Sequence, residues 1–293
     1  MKPGIRIMTR VMVSDMGSRE NTDMQAVAQL PSKPQAPVRL RPIALPSEHG
    51  GWGMLGAPIL TGMLVTPSWA GALIGMAGAS AFLARQPFRL ALTDLRKGKR
   101  YPRTGWAIRF AIGYIAVGVL ALLGAVALAG GSFWLPLVLA ATLGGLQFAF
   151  DIEGKGRSFV PEVSGAVAMS LLATSIALAG RFDSSKAWLL AVTLAFQSAT
   201  AISYAATRVR LARGVEIAKW PVWAGHVAAL AIVAGIVANG WLGWPILAAF
   251  GVLSGRAVWG VSCHRRDVRA AMVGLQEVGY AVLTVACLLA SVQ

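Results

Sequence analysis

The chain has 293 residues, 56% of them hydrophobic and only 13% charged, with a formal net charge of +15 and a mean hydropathy of +0.63. Soluble domains carry roughly 25% charged residues, so this composition excludes an ordinary soluble enzyme and points to a protein embedded in lipid. Cys263 and Cys287 lie far apart without metal-ligand spacing, which argues against a disulfide framework.

Residues 1–40 are polar, proline-bearing and aperiodic, with Lys2, Arg6, Arg10, Arg19, Lys33 and Arg39. No apolar core of signal-peptide length follows these charges. Composition predicts a disordered basic cytoplasmic tail. Residues 41–293 read as a single transmembrane helical domain. Nine apolar runs approach the roughly 20 residues that cross a bilayer: 50–66, 68–85, 106–129, 132–150, 160–180, 186–207, 220–239, 243–262 and 270–290. The expected fold class is therefore an all-α polytopic bundle.

Short connections such as Thr66-Pro67-Ser68 alternate with long basic ones. Arg and Lys collect in the tail, in Arg85–Arg109, at Lys155 and Arg157, in Arg208–Lys219, and around Arg265, Arg266 and Arg269. The other side carries Arg181 and Lys186. Cytoplasmic loops attract Lys and Arg, so the N-terminus is expected inside and the C-terminus outside. Most of the charge then lies at the membrane surface, where the partner is the lipid bilayer and not nucleic acid.

One stretch concentrates unusual chemistry. Glu48-His49-Gly50-Gly51-Trp52 puts an acid and an imidazole at the mouth of the first apolar run, where ionisable groups are costly and invite a functional reading. Helical rise places Arg109 one turn into the third run and Gln147 one turn before the fourth emerges. Glu162 opens the fifth run, and Gln197, Thr200, Tyr204 and Thr207 share a face of the sixth. His226, Arg256 and Glu277 each lie roughly 10 Å inside their runs, with Arg256 the natural partner for Glu277. All these groups fall in the half expected to face the cytoplasm. A polar cavity open to that side is the expectation, lined by Arg109, Gln147, Gln197, Tyr204, His226 and Arg256. Singly, each has a structural explanation: Arg109 and Arg256 can snorkel, and His226 can be a hydrogen-bonded packing residue.

The Glu48–Trp52 run followed by Pro58 resembles the YwiC-like family of bacterial integral membrane proteins, and the likeness extends to Arg103 and the Asp151–Gly165 loop. It implies a multi-pass protein of the inner (plasma) membrane. A wider resemblance is to the UbiA-type intramembrane prenyltransferases. It rests on Pro58, on the segment from Thr93-Asp94-Leu95-Arg96 to Arg103-Thr104, and on Phe150, Lys155, Arg157, Pro161 and Gly165. That resemblance implies nine helices, a cytoplasmic cavity and a transferase acting on an isoprenoid or other anionic lipid.

It also implies magnesium held by several aspartates, and here the chain departs from the pattern. The first loop keeps Asp94 among bases, and the second offers Glu216. Mg²⁺ wants carboxylate and phosphate oxygens, so the metal set is sparse. Arg and Lys suit a phosphate directly. The expected head-group set is Asp94, Lys97, Lys99, Arg100, Arg103, Lys155, Arg157, Arg208 and Arg210. Glu48 and His49 are expected to supply acid–base chemistry, with Glu162 and Glu277 polarising an acceptor. The alternative is a non-catalytic transporter or lipid- or anion-binding protein using the same cavity. For Glu48-His49 the structural alternative is capping of the first helix.

Overall fold

The computed structural model describes residues 38–46, 49–262 and 269–292. Residues 1–37 of the expected tail (1–40) and Cys263 lie outside the described residues. After one helical turn at Arg41–Ala44, nine long helices follow among the described residues: α1 (His49–Val65), α2 (Trp69–Arg96), α3 (Pro102–Leu128), α4 (Trp134–Ile152), α5 (Phe159–Ala179), α6 (Ser184–Ala212), α7 (Trp220–Ala238), α8 (Pro245–Ser262) and α9 (Ala270–Val292). Seven of these, α3 to α9, are long and apolar enough to cross a membrane. Helix α1 has 17 residues, about 25 Å by helical rise, and α2 mixes an apolar half with a charged one.

Most helix ends match the apolar runs to within about two residues, because Gly, Pro and capping residues punctuate them. Ser68 accepts from the Gly71 amide at the start of α2, and Asp183 accepts from the Lys186 amide at the start of α6. The departure is α2. The stretch 85–96, expected as part of a basic connection, continues as helix to Arg96, and α3 already begins at Pro102. The connection shrinks to a tight turn with Gly98 at φ 64°, where a side chain would be strained. Helix α6 likewise runs on to Ala212.

Helix α5 is the hub, packed against α1, α2, α4 and α6. Its sequence is Ala, Ser, Gly and Thr at most inward positions, and Ala173, Thr174, Ser175, Ile176 and Ala177 are wholly buried. Small residues let helices approach closely in lipid, where dispersion and hydrogen bonds drive association. At Gly62 of α1 an added Cβ would lie 2.7 Å from the Ile176 Cβ and 3.0 Å from the Ala173 carbonyl. Gly62→Val is therefore expected to force α1 off α5 and destabilise the protein by about 1–3 kcal/mol, the cost of overpacking, read as a lower melting temperature in detergent. A variant melting like wild type would show that this contact is looser than described.

The two ends of the bundle differ. At one end the loops tie down onto helix termini: the Gly130 amide donates to the Ala179 carbonyl at 3.0 Å, Gly243 to Ser291 at 2.8 Å, and Ile246 to the Ser291 hydroxyl at 3.0 Å. Arg181 Nε donates to the Gly130 carbonyl at 2.8 Å and Lys186 Nζ to the Val292 carbonyl at 3.0 Å. The opposite end gathers the starts of α1, α5 and α9 with the ends of α2, α4 and α6, and there the bundle is hollow.

Candidate functional site

A cavity of about 670 Å³ opens at that hollow end. The backbone of Gly50, Gly51 and Gly53 forms part of its wall, so the glycines of the Glu48–Trp52 run let α1 border open space without side chains. Trp52 turns aside and meets Phe82 edge-on, with ring centroids 5.5 Å apart. Glu48 and the His49 side chain lie outside the described residues.

Five arginines line the cavity: Arg85 and Arg89 from α2, Arg157 from the α4–α5 loop, and Arg210 and Arg213 from the end of α6. They face three acids, Asp151, Glu162 and Glu277. Arg85 Nε donates to Asp151 Oδ2 at 2.5 Å, joining α2 to α4 across a carboxylate whose side chain is 3% exposed. Arg89 donates to Gln86 at 2.8 Å within its own helix. Gln147 and Gln197, both buried, supply the neutral polar wall. Gly165 faces the Gln147 amide so closely that a Cβ would collide with it. Cavity and glycine are thus parts of one local solution: the α5 backbone gives way where α4 carries a polar side chain.

Of the expected site residues, Glu162, Glu277, Arg157, Arg210, Gln147 and Gln197 come together here. Others are placed elsewhere. Asp94 is 1% exposed and pairs with Arg103, whose Nη2 and Nε donate at 2.8 and 3.2 Å, while the Thr104 hydroxyl donates at 2.8 Å. This clasp holds α2 to α3, and neither residue lines the cavity. The Arg103 guanidinium holds the Asp94 carboxyl below its usual range, with burial opposing. Lys97, Lys99 and Arg100 are exposed on the neighbouring turn and do not line the cavity. Lys155 makes an exposed pair with Glu153 at 3.2 Å. Arg208 is not in the lining. Arg109, expected in the cavity, is exposed and stacks on Trp106 at 5.0 Å; the long stem reaches outward from α3, which packs against α2 and the Arg41–Ala44 turn alone among its stronger contacts.

His226, Arg256 and Tyr204 form a separate cluster with Glu277 and Tyr280. Arg256 Nη1 donates to both Glu277 oxygens at 2.5 Å, Nη2 lies 3.3 Å from His226 Nε2, and His226 Nδ1 lies 2.8 Å from the Val222 carbonyl. The guanidinium is sandwiched by the Tyr204 and Tyr280 rings at 4.2 and 4.7 Å. The expected Arg256–Glu277 pair is formed, and it engages the carboxylate that was expected to polarise an acceptor.

Arg85, Arg89, Arg213 and Asp151 were not among the expected site residues. Arg85 and Arg89 stand at i and i+4, the spacing of one helix face, and that was the available signal. Among the described residues no three His, Cys, Asp or Glu side chains gather as metal ligands, and Asp94 is already engaged. Among the described residues the acids are too dispersed to fit a magnesium cage.

No curated protein and no solved structure matches the chain. The family model described as YwiC-like protein matches residues 45–177, which span α1, α2, α3, α4 and most of α5. Over that stretch the chain carries the YwiC-like family's pattern, the one that Glu48-His49-Gly50-Gly51-Trp52 resembles.

Proposed function

We propose that this is an inner-membrane protein of nine spanning helices, N-terminus inside and C-terminus outside, that receives the phosphate head of an isoprenoid or other anionic lipid from the cytoplasmic side. The observation that carries the reading is the gathering of Arg85, Arg89, Arg157, Arg210 and Arg213 around one cavity at the basic end of the bundle. Guanidinium forks match phosphate oxygens in geometry as well as charge, and Lys and Arg mark the cytoplasmic side. Arg85 is committed to Asp151, so Arg89, Arg157, Arg210 and Arg213 are the head-group ligands.

A UbiA-like transfer reaction in this cavity would take its acid–base groups from Glu48, His49 and Glu162, without a magnesium cage. Glu277 holds the wall through Arg256. Purified protein should retain a phosphate-bearing lipid visible by native mass spectrometry. Arg157→Gln/Arg210→Gln should reduce that retention by about tenfold or more, since a charge-assisted bond contributes about 1.5–3 kcal/mol. Retention unchanged in the double variant would sink the reading. Bound lipid that is retained and never processed, with His49→Ala behaving like wild type, would favour a binding or transport protein using the same site.

A further inference from the structure

A second cavity of about 670 Å³ lies between α8 and α9 and shares no lining residue with the first. Gly255 and Gly260 of α8 and Gly279 of α9 hollow it, and Tyr204 of α6 contributes to the lining. At Gly260 a Cβ would run into the Tyr204 ring. The flank on which it opens is apolar: Trp259 is 74% exposed and Val252 48% exposed, on a helix long and apolar enough to cross a membrane.

The fold places a cation in this apolar setting. Arg256 lines the groove with its side chain only 7% exposed. An ion held there is costly unless every donor is used. Its Nη1 is occupied by Glu277, its Nη2 lies against His226 Nε2 and its two faces meet tyrosine rings, but the buried Nε has no acceptor among the described residues. The guanidinium therefore keeps one unused donor. A phosphate can take the place of the carboxylate on Nη1 and still has an oxygen to spare for Nε. Glu277 lines the arginine-rich cavity, so a carboxylate displaced from Arg256 has polar company behind it. Arg256 lies six residues before Ser262, about 9 Å by helical rise from the end of α8, within reach of a head group drawn in from the interface.

We propose that the α8–α9 groove is an intramembrane site for a single lipid with a phosphate head group, received by Arg256 between Tyr204 and Tyr280, with its tails along Val252, Trp259 and Leu283. The lipid's own charge is what exchanges for Glu277, so the site discriminates between net-anionic and zwitterionic lipids. It is distinct from the arginine-lined cavity and stands whether or not that cavity binds lipid.

The test is photo-crosslinking of the full chain in nanodiscs of phosphatidylglycerol or phosphatidylcholine, with benzoylphenylalanine replacing Trp259 to report the groove. A second label replacing Met54 reports the arginine-lined cavity. Phosphatidylglycerol should crosslink at the Trp259 position about tenfold more than phosphatidylcholine. Glu277→Gln, which leaves Arg256 without its internal anion, should raise that preference several-fold, and its melting temperature should recover in phosphatidylglycerol but not in phosphatidylcholine. Arg256→Gln/Glu277→Gln, which removes both charges at nearly constant volume, should bring the two lipids to parity while still eluting as a monodisperse species. Parity in the wild type, or a preference that survives the double variant, would overturn the proposal. Competition of the crosslink by millimolar inorganic phosphate would replace the lipid with a free anion. A silent Met54 position beside a selective Trp259 position would count against the cavity reading and leave the groove intact.

Discussion

Arg256→Met is expected to destabilise the protein by about 3–5 kcal/mol, the cost of leaving a buried carboxylate without its partner. Glu277 is 11% exposed, and both its oxygens receive Arg256. The long apolar side chain keeps most of the packing between Tyr204 and Tyr280, so the loss is electrostatic and not a cavity effect. Arg256→Met/Glu277→Leu should then recover most of the stability, because replacing a buried pair by apolar groups of similar volume is often neutral or favourable. Thermal or denaturant unfolding in detergent, run as a double-mutant cycle, reads both numbers. Equal destabilisation by single and double variants would mean that the tyrosine sandwich, and not the ion pair, holds α6, α8 and α9 together.

The clasp between α2 and α3 should respond asymmetrically. Arg103→Ala leaves Asp94, 1% exposed, with the Thr104 hydroxyl as its donor, and is expected to cost about 2–4 kcal/mol. Asp94→Asn leaves Arg103, whose side chain is 47% exposed, free to turn to water, and should cost about 1–2 kcal/mol. Removing the more exposed partner is the more damaging change. The pH dependence carries a definite sign. Donation from Arg103 holds the Asp94 carboxyl below its ordinary value of 3.8. A depressed carboxyl contributes stability that is complete above the unfolded value and is lost as pH falls through the folded one. The margin of wild type over Asp94→Asn should be full at neutral pH and shrink below 3.8. A margin that persists into stronger acid would show that the carboxylate's charge is not what the clasp uses.

Why some features were legible in the sequence and others not follows from the kind of signal each left. Helix α7 lies between Lys219 and Asn239-Gly240, where charge and Gly interrupt an apolar run, and its bounds could be read almost to the residue. The Arg256–Glu277 pair was legible because two opposite charges at similar depth in lipid have few alternatives. The C-terminal half of α2 was not. Arg85, Arg89 and Arg96 look like a basic loop under the rule that places cations at one membrane face. The rule concerns position relative to the bilayer, and it is indifferent to whether the backbone there is helix or loop. The same ambiguity hid Arg85 and Arg89 from the site, while Lys97, Lys99 and Arg100, expected beside them, stand exposed on the adjoining turn outside the cavity lining. Asp151 was passed over because a single acid at the end of an apolar run looks like a surface group until a partner 66 positions earlier is brought to it.

The placement of α5 bears on how the chain is made. Its buried face is built largely from small side chains, which gain more from close packing against other helices than from lipid. Its packing partners α1, α2 and α4 all precede it in the chain, and only α6 follows. When α5 leaves the ribosome, three sides of its eventual berth are already synthesised. Helical neighbours can therefore receive it in place of lipid, and the order of translation matches the order in which the bundle needs its parts.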